Sequence, residues 1–128
     1  MDIFTSRGHK KSYYESLSII NKKNNNLKAA SYLLSADKYL WRISKNHLST
    51  NDIDFENIDS THLTANGYLY YNAAKDLMTG SKKIGLDDLA DKGAISCYSM
   101  KVIMTALSII RKNPFEKCIT KGDDDTND

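Results

Sequence analysis

The side chains able to carry chemistry are few and dispersed along the chain. His9, His47 and His62 do not stand at the His-Glu-x-x-His or His-x-His spacing that aims two imidazoles at one metal ion. They read as exposed or capping histidines near element ends. Cys97 and Cys118 match no zinc-site spacing, and no His or third Cys completes a set. Two free thiols are expected rather than a disulfide. Asp52, Asp54, Glu56 and Asp59 are spaced like the oxygen ligands of a calcium loop, yet that loop's glycine at the sixth position and glutamate at the twelfth are both missing. The stretch GSKKIG lacks the length and the Lys-Ser/Thr ending of a phosphate-binding loop, and no GxSxG nucleophile turn occurs. No metal, no cofactor and no set of catalytic residues is expected.

Asp37 is the acid in the most unusual setting. At roughly 3.6 residues per turn, the segment LKAASYLLSADKYLWRI gathers Lys28, Ser31, Ser35, Lys38 and Arg42 on one narrow stripe. Leu27, Ala30, Leu33, Leu34, Ala36, Tyr39, Leu40, Trp41 and Ile43 occupy the rest of the circumference, and Asp37 lies among them. A carboxylate in such an arc must be hydrogen-bonded, paired or protonated. With no second acid or histidine at helical spacing, Asp37 is read as a structural polar anchor, with Trp41 one turn on, ahead of a general acid or base. The pattern predicts one continuous helix from about 27 to 45 at the centre of a helical domain.

The remaining elements follow from periodicity and end signals. A first helix fits about 7–21, with Ser6 as N-cap and Tyr13, Leu17 and Ile20 on one face. A third fits about 62–79, ending at Thr79-Gly80. Leu86 to Asp91 makes a short helix with acidic residues in its first turn. The last main helix, about 94–112, carries Lys101, Thr105, Ser108 and Lys112 on a polar stripe and is apolar elsewhere, ending at Asn113-Pro114. Between 46 and 63 the chain is irregular, and Ile53, Phe55 and Ile58 are expected to tuck onto the core. The fold class is all-α: a single-domain helical bundle of four main helices plus a short one, with two central buried helices. The domain spans 1–120, and 121–128 form an acidic disordered tail.

Composition agrees with such a bundle. Of the 128 residues 41% are hydrophobic and 27% charged, with one proline and six glycines, so few breakers interrupt long helices. No apolar run approaches the roughly 18–20 residues of a membrane span, and the N-terminus lacks the features of a secretory signal. A cytoplasmic protein without membrane contact is expected. The net charge of +2 is segmented: +6 over residues 1–48, −5 over 49–91, +4 over 92–120 and −3 over 121–128. Basic and acidic segments that face each other in the fold or lie on separate solvated faces are the simplest reading of that segmentation, ahead of a basic surface for nucleic acid or an acidic one that mimics it.

Two surfaces are candidates for binding. Tyr68, Tyr70 and Tyr71 surround the apolar side of the third helix and could face a protein partner or form the edge of the core. The stretch LDDLADKGAISCYSMKVI, Leu86–Ile103, resembles a bacterial helix-turn-helix and would present Tyr98, Lys101 and Thr105 to DNA. Its glycine, Gly93, is one place early, and the second helix keeps a wide apolar face through Ile110, so a core helix is preferred there.

The order IFTSRGH, YLLSADKYLW, IDFENI, AAKDLMTG, IGLDDLAD and VIMTALSIIRK, spanning about residues 3–112, resembles a small helical family of Gram-positive bacteria, their phages and mobile elements, a domain of unknown function. The resemblance implies an accessory protein of such an element and carries over no catalytic residue. Taken together, the expected function is a non-enzymatic interaction or regulatory module that modulates a host or competing-element system through another protein. Nucleic-acid binding is the alternative, and enzymatic activity the third reading.

Overall fold

Asp37 does not lie inside a helix: one helix ends at Leu34 with Ser35 as its C-cap, and Asp37 caps the start of the next. In the computed structural model, which describes residues 3–112, the expected 27–45 helix is two helices, α2 (Asn25–Leu34) and α3 (Lys38–Ser44). Asp37 adopts φ −121° and ψ 128°, and its Oδ1 accepts the Leu40 N–H at 2.9 Å. An aspartate side chain competes with the helix for backbone N–H groups, and the N-cap is where that competition is favourable. Capping therefore replaces the continuous helix that periodicity predicts.

The other elements are α1 (Arg7–Leu17), α4 (Ala65–Thr79), α5 (Leu86–Ala90) and α6 (Cys97–Arg111), with single 3₁₀ turns at Lys45–His47 and Phe55–Asn57. Four N-caps are of the Ser/Thr/Asn type: Ser6, Asn24, Thr64 and Ser96 each accept a hydrogen bond from the backbone N–H three residues on. α1 stops four residues earlier than predicted, and Ile20 reaches the core from the turn that follows. α4 ends at Gly80, whose φ of 75° is the left-handed conformation that glycine adopts without a Cβ penalty. The chain is all-α, and the described residues contain no strand beyond one isolated bridge between Leu48 and Ile53.

α2 is the core. Every residue from Leu27 to Leu34 except Lys28 is buried, including Ser31, and Ser35 follows. The predicted wet stripe is thus confined to its lysines and Arg42, because α4 and α6 both pack along α2 and only lightly on each other. The small Ala73 and Ala74 on α4 and Ala29 and Ala30 on α2 share one buried cluster, allowing close helix approach. α6 contributes Ser99, Val102, Ile103 and Ala106, a single stripe at helical spacing. It is not buried all round as expected: Met104, Leu107, Ile109 and Ile110 are only half-covered. The irregular connection lays Leu48, Ile53, Phe55 and Ile58 onto the core. The Asn113-Pro114 stop, Cys118 and the acidic tail lie outside the described residues.

Candidate functional site

Residues 3–5, Tyr32 on α2 and the first two turns of α6 enclose a small cleft. Ile3, Phe4, Thr5, Tyr32, Tyr98, Lys101 and Val102 line it around a volume of about 70 Å³. Helical spacing sets Tyr98, Lys101 and Thr105 together on one flank of α6, beside the stripe that packs on α2. The three residues expected to contact DNA are thus brought together. Tyr98 and Lys101 line the cleft, and Thr105, half-buried, donates to the Lys101 carbonyl at 2.8 Å.

Tyr32 forms the floor and is 1% exposed. Its hydroxyl donates to the Ile3 carbonyl, tying the N-terminal segment down. Burial pushes its pKa up to about 12; the adjacent Thr105 hydroxyl acts the other way, and Tyr70, Tyr98 and Tyr13 add to the rise.

Behind the floor sits His9, 2% exposed. The Thr5 backbone N–H lies 3.0 Å from its Nδ1, so Nδ1 accepts, and the ring proton belongs on Nε2, which donates to the Tyr32 carbonyl at 3.0 Å. The expectation of an exposed or capping histidine is overturned. His9 falls on the same face of α1 as Tyr13 and Ser16, and that face is the buried one. Phe4 closes the group, with its ring 5.2 Å from His9, 5.7 Å from Tyr13 and 6.2 Å from Tyr32. These rings pack at the tilted and edge-on angles that aromatic quadrupoles favour.

The rim of the cleft is exposed, aromatic and basic. Ile3 is 42% exposed and Tyr98 55%. Tyr14, equally exposed, lies at the edge of Phe4 with ring centroids 6.0 Å apart. Arg7, Lys10 and Lys11 share the outer side of α1 with Tyr14, and Lys101 bears no ion pair among the described residues.

The other predicted site residues are placed differently. Of the three tyrosines on the third helix, only Tyr68 is exposed. Tyr70 is buried and donates to Ser99 Oγ at 3.3 Å, in a network that continues to Asn66 Oδ1. Tyr71 is buried and donates to the Phe55 carbonyl at 3.2 Å. Both hydroxyls bind the core together, so the trio does not form a face. Asp37 is half-buried at the junction of α3 and α4, and Trp41 finds its partner elsewhere, its Nε1–H donating to Glu15 Oε1 at 3.0 Å.

α5 and α6 do not form the mutually packed pair of a helix-turn-helix. α5 has five residues, Leu86 is 84% exposed, and the two helices share little contact. The acids of the irregular connection are turned to local work. Asp54 accepts from Asn57 Nδ2 at 2.6 Å, and Asp59 accepts from the Thr61 N–H and hydroxyl, which holds its carboxyl below its usual range. Among the described residues no three His, Cys, Asp or Glu side chains converge as a metal site, and no helix is long and apolar enough to cross a membrane. Comparison of the chain with protein-family models, curated proteins and solved structures finds no match.

Proposed function

We propose that the chain is a non-catalytic interaction module that docks another protein through the cleft between its N-terminal segment and α6. The observation that carries this reading is the composition of the rim. Exposed Tyr98, Tyr14 and Ile3 border an apolar cleft with the ammonium of Lys101, which has no ion pair among the described residues, at its edge. Large exposed aromatic residues beside a cavity are the usual anchors of protein recognition. The volume of about 70 Å³ suits one inserted side chain and lies well below the roughly 300–1,000 Å³ of small-molecule sites. An accessory role for a phage or mobile element, modulating a host or competing system, is the biological setting we attach to this reading. It rests on the sequence motifs alone.

The competing ligand is nucleic acid, since Arg7, Lys10, Lys11 and Lys101 make the same surroundings basic. The test is a photoreactive phenylalanine analogue placed at position 98, with position 68 as the exposed control, irradiated in cells that carry the gene. Adducts to protein at 98 and not at 68 support the docking reading. Adducts to nucleic acid at 98, lost at raised salt, overturn it in favour of the alternative.

A further inference from the structure

The chain carries both halves of one contact. Leu86, on the first turn of α5, is the most exposed large apolar residue among those described, at 84%. Asp87 and Asp88 follow it and are also exposed. The Asp88 carboxylate is occupied by the Gly85 N–H at 2.9 Å, which leaves Asp87 as the outward charge. The element is held at a fixed angle to α4, because Asp76 accepts from Ser81 Oγ, the Lys83 N–H and the Ile84 N–H. Leu86 is therefore a braced apolar knob beside a negative charge. The cleft is an apolar hole beside a positive charge, and no α5 residue lines it.

We infer that the cleft receives Leu86 of a second copy of this chain, with Asp87 of that copy facing Lys101. The inference deepens the docking reading by naming the partner. It is argued from charge and shape together: Asp87 stands beside Leu86, Lys101 lines the cleft with Arg7, Lys10 and Lys11 exposed on the neighbouring α1, and the cleft has room for one aliphatic side chain. A knob and a hole on different elements join either as a reciprocal pair or head to tail. In either arrangement a mixture of complementary variants regains one intact contact.

Sedimentation velocity over a range of concentrations, at low and high salt, tests the contact. The wild-type chain self-associates as concentration rises and does so less at high salt. Leu86→Asp and Lys101→Glu, both at exposed positions and checked for helicity by circular dichroism, each weaken association by at least about tenfold. Tyr68→Ala leaves it unchanged. An equimolar mixture of the Leu86→Asp and Lys101→Glu chains associates again, because the intact knob of the second meets the intact cleft of the first.

A wild-type chain that stays monomeric throughout overturns the inference, as does association indifferent to both variants. If the chain is monomeric while the probe at position 98 captures a different protein, self-association falls and the docking reading stands. If the probe captures only nucleic acid, both fall.

Discussion

The Thr64 hydroxyl donates to Asp37 Oδ2 at 3.4 Å, joining the N-caps of two helices that are far apart in sequence. Asp37 Oδ1 holds the Leu40 N–H at the start of α3, while Thr64 Oγ1 holds the Gly67 N–H at 3.1 Å at the start of α4. Both helix N-termini thus present their positive ends to one carboxylate. Gly67 is the small residue this junction requires. A Cβ there would lie 3.2 Å from Thr64 Oγ1 and 3.4 Å from the Asp37 carboxyl carbon.

Asp37→Ala removes one cap and the link to the second, and a loss of about 1–2 kcal/mol of unfolding free energy is expected. Asp37→Asn keeps a capping oxygen and costs less than about 0.5 kcal/mol, since asparagine and aspartate cap almost equally well. Urea denaturation of the two variants measures the difference. Equal losses would mean that charge, and not the cap, is what the junction uses.

His9→Leu preserves bulk in the aromatic group but takes the acceptor from the Thr5 N–H and one of two donors from the Tyr32 carbonyl, which keeps the Ser35 hydroxyl at 3.0 Å. The abandoned donor costs about 1–3 kcal/mol, so a clear destabilisation is expected. Because Thr5 lines the cleft, loss of protection at the Thr5 amide in hydrogen exchange accompanies it. A variant as stable as wild type would show that the ring is there for packing alone.

Ser31 is fully buried on α2, and its hydroxyl finds no hydrogen-bond partner among the described residues. Ser31→Ala removes an unsatisfied oxygen and improves helix propensity, with an expected gain of about 0.5–1.5 kcal/mol. Chemical denaturation reads the gain directly, and a loss would point to a partner for the hydroxyl in solution.

Alkaline pH acts on the floor of the cleft. The Tyr32 hydroxyl, ordinarily at 10.0, is raised to about 12 in the folded chain, with Tyr13 and Tyr70 also raised by burial. Between these values the unfolded chain releases the Tyr32 proton and the folded chain keeps it. The unfolded state then binds fewer protons, so stability falls as pH rises through that window. Below pH 10.0 this contribution is intact. Tyrosinate absorbance and helical circular dichroism, followed together, should show Tyr32 ionising only as the helices melt. In a Tyr32→Phe variant the steepest part of that loss disappears.

What could be read from the residues was local. Ser6, Thr79-Gly80 and the buried beads Ile53, Phe55 and Ile58 announce themselves through caps, stops and spacing, and the structure places them accordingly. The break at Asp37 was illegible to periodicity, because a capping residue and an interior one occupy nearly the same angular position on a helix. The cleft was less legible still. Its members come from residues 3–5, α2 and α6, and its inner support, His9, is bound to backbone atoms that leave no trace in residue type. Tyr98, Lys101 and Thr105 could be picked out as an outward triad from their spacing; the surface they border could not.

The position of α2 between α4 and α6 also governs when the protein is able to fold. Tyr32, Leu33 and Leu34 emerge early in synthesis, but Val102, Ile103 and Ala106, which cover one flank of their helix, emerge last among the described core residues. A nascent chain on the ribosome therefore carries one flank of its most buried helix uncovered until α6 leaves the exit tunnel. The chain is most exposed to chaperones and to misassembly during that interval.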